Sequence, residues 1–138
     1  MSGIGVSEAN EILGEVFAPW VKALGLEATQ VGDDQATLSM PFSEDLCRVG
    51  EMVCGQALIS AADTAMVIAV CSKLGGFKPI GTVDLTSNFM RPVSGEGVVL
   101  TARIMRAGRS MAFCNTEVRG ADSGKLSMFA TGTYALPQ

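Results

Sequence analysis

The 138-residue sequence contains no histidine. That absence removes Ser-His-Asp and Cys-His catalysis, histidine-ligated metals and imidazole general bases together. Any acid–base chemistry must rest on carboxylates, lysine, cysteine, tyrosine, backbone groups or water. The four cysteines, Cys47, Cys54, Cys71 and Cys114, form no CxxC pair. Neither a zinc site nor a dithiol redox motif is therefore expected, and no metal. Charge is also scarce, at 17% of residues with a formal net charge of −4. This acidic balance argues against nucleic acid and anionic membrane surfaces as partners. The first 15 residues hold Glu8, Glu11 and Glu15 and no basic side chain, unlike the start of a secretory signal. The expectation is a cytoplasmic protein with reduced thiols. Repeats, low-complexity tracts and linkers are missing too, so residues 1–138 read as one domain with one core.

What is abundant is apolar. Hydrophobic residues make up 48% of the chain, and an excess of that kind in a small domain is commonly hidden between subunits. A homo-oligomer is expected. Residues 8–24 place Ile12, Leu13, Val16, Phe17, Trp20, Val21 and Leu24 at helical spacing. Ser7 is a candidate cap and Gly25 a stop, while Pro19 predicts a kink or two short helices. Short strands are predicted near 26–31 and 35–40, turning at Gly32-Asp33-Asp34, and 41–51 reads as a loop. Residues 52–72 contain one charged group, Asp63, and predict a long, fully buried helix. A membrane span has similar length, but Gln56, Ser60, Asp63 and Thr64 in its first half speak against one. From Ile80 the pattern becomes strands of about ten residues, 82–91, 98–105, 110–119 and 125–134, separated by glycine- and proline-bearing turns. Val98, Leu100, Ala102 and Ile104 share one face. Together these predict an α+β fold in which an antiparallel meander wraps a central helix behind an N-terminal helical segment.

Asp63 is the first candidate for chemistry. A lone carboxylate within an apolar helix is costly unless it is solvated, hydrogen-bonded or used. Gln56, Ser60 and Asp63 recur at steps of four and three, with Thr64 beside them, forming a narrow polar stripe. Such a stripe serves either a reaction or a structural network, and its spacing does not choose between them. Gly55 lies at the expected start of the helix. There the first N–H groups lack partners, and a missing side chain admits a ligand carbonyl, although a plain helix start has the same look. Cys54, at the same terminus, has the position of an activated thiol but no base to serve it. Residues 78–119 carry six basic and three acidic side chains. Arg106 and Arg109 in that stretch are either phosphate ligands or solvated hairpin residues.

The run Val53-Cys54-Gly55-Gln56-Ala57-Leu58-Ile59-Ser60-Ala61-Ala62-Asp63-Thr64-Ala65 resembles the helix signature of PaaI-like hotdog thioesterases. That signature opens with His-Gly-Gly and reaches an acidic residue. Residues 82–91 and Pro92 look like the family's first long strand, Gly108-Arg109 like its last hairpin, and residues 130–133 like its last strand. The resemblance spans about residues 10–136. It implies a hotdog fold, a homodimer or homotetramer with sites between subunits, and hydrolysis of acyl-CoA thioesters. No cofactor is implied beyond the coenzyme A of the substrate. In this family an acidic residue activates water or attacks the thioester, a role that falls on Asp63. A backbone N–H polarises the carbonyl, which falls on Gly55, and a strand hydroxyl holds the water, which falls on Thr82. Gln56, Cys54, Arg48, Ser60, Arg106 and Arg109 are the expected substrate contacts, with Met66 and the loop 42–51 as further candidates for lining the acyl pocket. Three positions, 48, 54 and 56, depart from the pattern. Cys54-Gly55-Gln56 replaces His-Gly-Gly, and Arg48 stands where an asparagine is usual. These departures keep a non-catalytic acyl-CoA-binding hotdog protein as an alternative. A hydratase or dehydratase of the same fold is disfavoured by the missing histidine.

Overall fold

The computed structural model describes residues 3–138. The amphipathic N-terminal run forms two helices, α1 (Val6–Glu15) and α2 (Pro19–Lys22). Pro19 occupies the first turn of α2, where its missing N–H costs nothing. Gly5 rather than Ser7 is the N-cap of α1, two residues earlier than expected. Strands β1 (Glu27–Gly32) and β2 (Gln35–Met40) follow, joined by Asp33 and Asp34, both in the left-handed region at φ 54° and 60°. That is the geometry of a two-residue hairpin turn whose twist matches the strands. The predicted loop 41–51 has more structure than its composition indicated. A 3-10 turn (Glu44–Leu46) leads into β3 (Cys47–Arg48), which pairs with β4 (Met52–Val53).

The long helix α3 is Gly55–Leu74. It starts later than expected because Met52 and Val53 are held in the small hairpin. It stops at Gly75, left-handed at φ 83°, whose N–H returns to the carbonyls of Cys71 and Ser72. Four long strands complete the chain: β5 (Gly81–Phe89), β6 (Val98–Ala107), β7 (Met111–Gly120) and β8 (Leu126–Ala135). The sheet order is β1-β2-β6-β7-β8-β5, antiparallel throughout. Only β6-β7-β8 is a meander. β5 does not lie beside β6 as a simple meander requires, but crosses to the far edge and pairs with β8.

The sheet curls around α3, which touches β2, β6, β7 and β8. Alternating residues supply the inner face: Leu38 and Met40, Leu100 and Ala102, Ala112 and Cys114, Met128 and Ala130, all buried. The helix meets them with Ala61, Ala62, Ala65, Met66, Ile68 and Ala69, each fully buried. The alanines keep the helix slim, so strands approach it closely on several sides. Burying each larger apolar side chain contributes about 1.5–3 kcal/mol. By length and composition α3 is apolar enough to cross a membrane, yet most of it is enclosed by the sheet. It is not buried all round, as the sequence suggested. Gln56, Ile59, Ser60, Asp63 and Val67 form a half-open stripe.

One core position carries a polar atom without a partner. Thr116 on β7 is fully buried between its register neighbours Ala102 and Ala130. Its hydroxyl meets no hydrogen-bonding group among the described residues. Desolvating a hydroxyl without compensation is unfavourable, and valine has nearly the same shape. Thr116→Val is expected to raise the unfolding free energy by about 1 kcal/mol, measured by urea denaturation at fixed protein concentration. A loss of stability would mean that a trapped water satisfies this hydroxyl.

Candidate active site

Asp63 lies midway along α3, on the half-open stripe, and two strand hydroxyls converge on it. The Tyr134 hydroxyl donates to Asp63 Oδ1 at 2.7 Å, and Thr82 Oγ1 donates to the same oxygen at 3.4 Å. Thr82 and Tyr134 are register partners across β5 and β8, so the sheet presents both hydroxyls side by side. The Tyr134 ring reaches Asp63 by folding back over Gly132. A Cβ at that glycine would stand 2.9 Å from the ring and the hydroxyl and 3.0 Å from the tip of Met66. Burial first, and then the negative Asp63 carboxylate, push the Tyr134 phenol far above its ordinary 10.0. It therefore remains a donor across the ordinary pH range. With both hydroxyls on Oδ1, Asp63 Oδ2 receives no hydrogen bond from the described residues. That oxygen is free for water or a substrate.

The carboxylate borders a cavity of about 350 Å³ between α2 and α3. From α3 come Gln56, Ile59, Ser60, Asp63, Thr64 and Val67, and from the N-terminal segment Phe17, Trp20 and Val21. The polar stripe seen in the sequence is thus one wall of a pocket. Thr64 itself is committed elsewhere, since its hydroxyl donates to the Ser60 carbonyl at 2.8 Å.

Gly55 begins α3 about 12 Å away along the axis, eight residues at roughly 1.5 Å each. Cys54 caps the helix through its backbone alone. Its carbonyl accepts from Ala57 and Leu58 at 3.2 and 3.3 Å, and its side chain makes no capping bond. The N–H groups of Gly55 and Gln56 have no acceptor among the described residues. Phe89, from the far end of β5, lies over Gly55: a Cβ there would meet its Cζ at 3.2 Å. A second cavity, about 370 Å³, opens at this end, lined by Gly55, Met52 and Phe89 with Arg48 and Arg91 at its edge. The Arg48 guanidinium donates to the Val49 carbonyl at 2.9 Å.

The structure thus brings Asp63, Thr82, Gln56 and Ser60 together and places Gly55 and Arg48 in a separate cavity. Cys54 lines neither cavity. Arg106 closes β6, and Arg109 sits in the β6–β7 hairpin, both exposed. The register puts this hairpin at the same end of the sheet as Thr82 and Tyr134. Two expectations fail. Met66 is fully buried beneath β8 and lines neither of these cavities. The loop 42–51 forms a cleft of its own, and only Arg48 and the adjoining Met52 reach the Gly55 cavity. The sequence did not point to Tyr134 or Phe89, nor to Phe17, Trp20 and Val21 as lining residues. The signal available for Tyr134 was that it is the sole tyrosine, on a core-facing strand position.

Comparison with known proteins gives a consistent result. The profile of the thioesterase superfamily matches residues 50–127. The chain is similar to the medium/long-chain acyl-CoA thioesterase YigI of Escherichia coli (strain K12), at 28% identity over 155 aligned positions covering 97% of this chain and 98% of the relative. Among solved structures, the conserved protein PA5202 from Pseudomonas aeruginosa superposes with a TM-score of 0.81 at 30% identity, over 88% of this chain and 95% of that one. The PaaI protein of the E. coli phenylacetic acid degradation operon superposes with a TM-score of 0.83 at 20% identity, over 96% and 92%, and shares the fold.

The buried protons of Tyr134, Cys71 and Cys114 give a defined alkaline response. Burial raises the Cys71 thiol, partly offset by a backbone hydrogen bond from Lys78, and pushes Cys114 up to about 12, both from 9.0. Above pH 9 the unfolded chain releases thiol protons that the folded chain still holds, and above pH 10 Tyr134 adds a third. Stability is therefore complete below pH 9 and falls as pH rises. Each group adds up to about 1.4 kcal/mol per pH unit. Tyr134→Phe is expected to remove one such increment from the slope above pH 10. Urea unfolding from neutral pH upward checks this, and identical slopes in both proteins would contradict it.

Proposed function

The chain belongs to the thioesterase superfamily and is a thioester hydrolase; from that premise we propose that it cleaves acyl-coenzyme A to the free acid and coenzyme A at a site shared by two subunits. The observation that carries this is Asp63, which lines an apolar cavity and has one oxygen held by Tyr134 and Thr82 while the other accepts no hydrogen bond from the described residues. In the proposed reaction a water at Oδ2 gives its proton to the carboxylate as its oxygen attacks the thioester carbon. Thr82 donates to Oδ1 and keeps its lone pairs for the same water. The carbonyl oxygen, becoming an oxyanion, accepts from the Gly55 N–H at the positive end of α3. Collapse breaks the C–S bond, and the departing thiolate takes up the proton. In direct attack by the carboxylate, the C–S bond would break to release the thiolate and leave a mixed anhydride on Asp63, which a water would then hydrolyse. Arg106 and Arg109, on the hairpin at the Thr82 end of the sheet, are the cations proposed for the coenzyme A phosphates. With four free cysteines, the protein suits the reducing cytoplasm.

The separation of about 12 Å between Asp63 and Gly55 along one helix means that they do not act on one carbonyl within a single chain. β5 supports the remedy. It pairs on one side only, exposes Val83 and Phe89, with exposed Met90 just beyond its end, and carries Thr82 near one end and Phe89 at the other. Antiparallel pairing of two such edges about their middles would bring the Asp63 end of one subunit to the Gly55 end of its partner.

Asp63→Asn is expected to lower thiol release from acyl-CoA by roughly 100- to 10,000-fold while the melting transition is kept. Gly55→Val should abolish activity separately, by driving a side chain into Phe89. Co-refolding the two inactive variants in equal amounts is expected to restore about a quarter of native activity, since half the dimers would be mixed and each would hold one complete site. No recovery would place the site within one subunit. Undiminished turnover in Asp63→Asn would remove the carboxylate from the mechanism.

A further inference from the structure

The cavity beside Asp63 has a chemical character that narrows the substrate. Apart from Asp63 it is lined by no charged side chain. Its surface is mainly Phe17, Trp20, Val21, Ile59 and Val67, and its neutral polar residues lie on the α3 side. An anionic group placed there would face the carboxylate at low dielectric with no cation to balance it. A hydrocarbon would lose only contact with water.

The opposite wall is held in an unusual way. α1 is anchored by buried Ala9 and Leu13, and by Asn10, whose side chain exchanges two hydrogen bonds with the backbone of Ala28 at 2.8 and 3.1 Å. Beyond α2, Leu24 is buried again. Between these anchors α2 buries no side chain, and Trp20 stays 64% exposed at the cavity edge. A large aromatic left mostly in water beside an apolar cavity gains burial once something apolar fills that cavity.

We propose that the acyl group is an uncharged hydrocarbon seated between α2 and α3, and that Phe17, Trp20 and Val21 select its length, with Trp20 closing over it. This rests on the thioesterase reading and adds to it a substrate class and the residues that measure it.

Straight-chain acyl-CoAs from acetyl upward, together with ω-carboxylated acyl-CoAs of matched length, test the proposal through thiol release. In the native protein kcat/KM is expected to rise about fourfold per added methylene until the cavity is full, and the ω-carboxylate to lower it by at least about tenfold. Trp20→Ala should flatten the rise, and because Trp20 is largely exposed this variant should fold. Trp20 is also the only tryptophan, so its emission reports on the wall directly. Decanoyl-CoA added to Asp63→Asn should shift that emission to the blue, and coenzyme A alone should not. Equal chain-length slopes in native protein and Trp20→Ala, or preference for the ω-carboxylated thioesters, would overturn the pocket assignment while hydrolysis itself stood. Absence of thiol release from every thioester would instead overturn the underlying reading, and the emission shift would then decide alone whether a hydrocarbon seats there.

Discussion

Enclosure of α3 is the constraint on which everything else rests. A 20-residue helix with two charged side chains, Asp63 and Lys73, is not stable facing water, and its alanines are too small to shield one another. The sheet answers by curling, with β2, β6, β7 and β8 each laying an apolar row against the helix. Small residues on the helix and larger ones on the strands interdigitate, which sets the sheet close to the helix axis. The same closeness brings a tyrosine on β8 and a threonine on β5 to a helix carboxylate.

That carboxylate lies on the stripe of the helix where the enclosure is incomplete. Its Oδ1 is paired with two hydroxyls and its Oδ2 is not. The division positions the group without using it up. Tyr134 pairs with Asp63 while itself fully buried, and Gly132 provides the room for its ring. The small residue and the tyrosine two positions later are one device.

The helix, its glycine stop and the ten-residue strands were legible because period and composition report burial directly. Asp63 stood out for the same reason, as the one charge in residues 52–72. Tyr134 did not stand out. Its role depends on pairing with Thr82 across two strands about fifty residues apart in sequence, and alternation along one strand says nothing of which strand lies beside it. The position of β5 was hidden likewise. Its turn signals fit a simple meander, and only the closed packing sends it to the far edge. Met66 was misplaced because composition does not say which face of the helix a residue occupies. Its side chain is fully buried under Gly132 of β8, while Asp63 borders the cavity.

β5 gives the apolar excess of the composition a meaning beyond solubility. Thr82 touches the carboxylate, and Phe89 lies on the glycine that begins α3. Seven residues of extended chain separate them, about 23 Å, and the strand runs antiparallel to the helix segment it spans. A strand with one free edge that joins the two halves of the proposed reaction centre, each too far from the other to cooperate within its own chain, has a consequence under two-fold symmetry. The operation that satisfies the edge also exchanges its ends. In the proposed dimer the backbone hydrogen bonds along β5, the burial of Val83 and Met90, and the meeting of Asp63 with the partner's Gly55 would be one event. Assembly and activity would then be lost together when that edge is blocked.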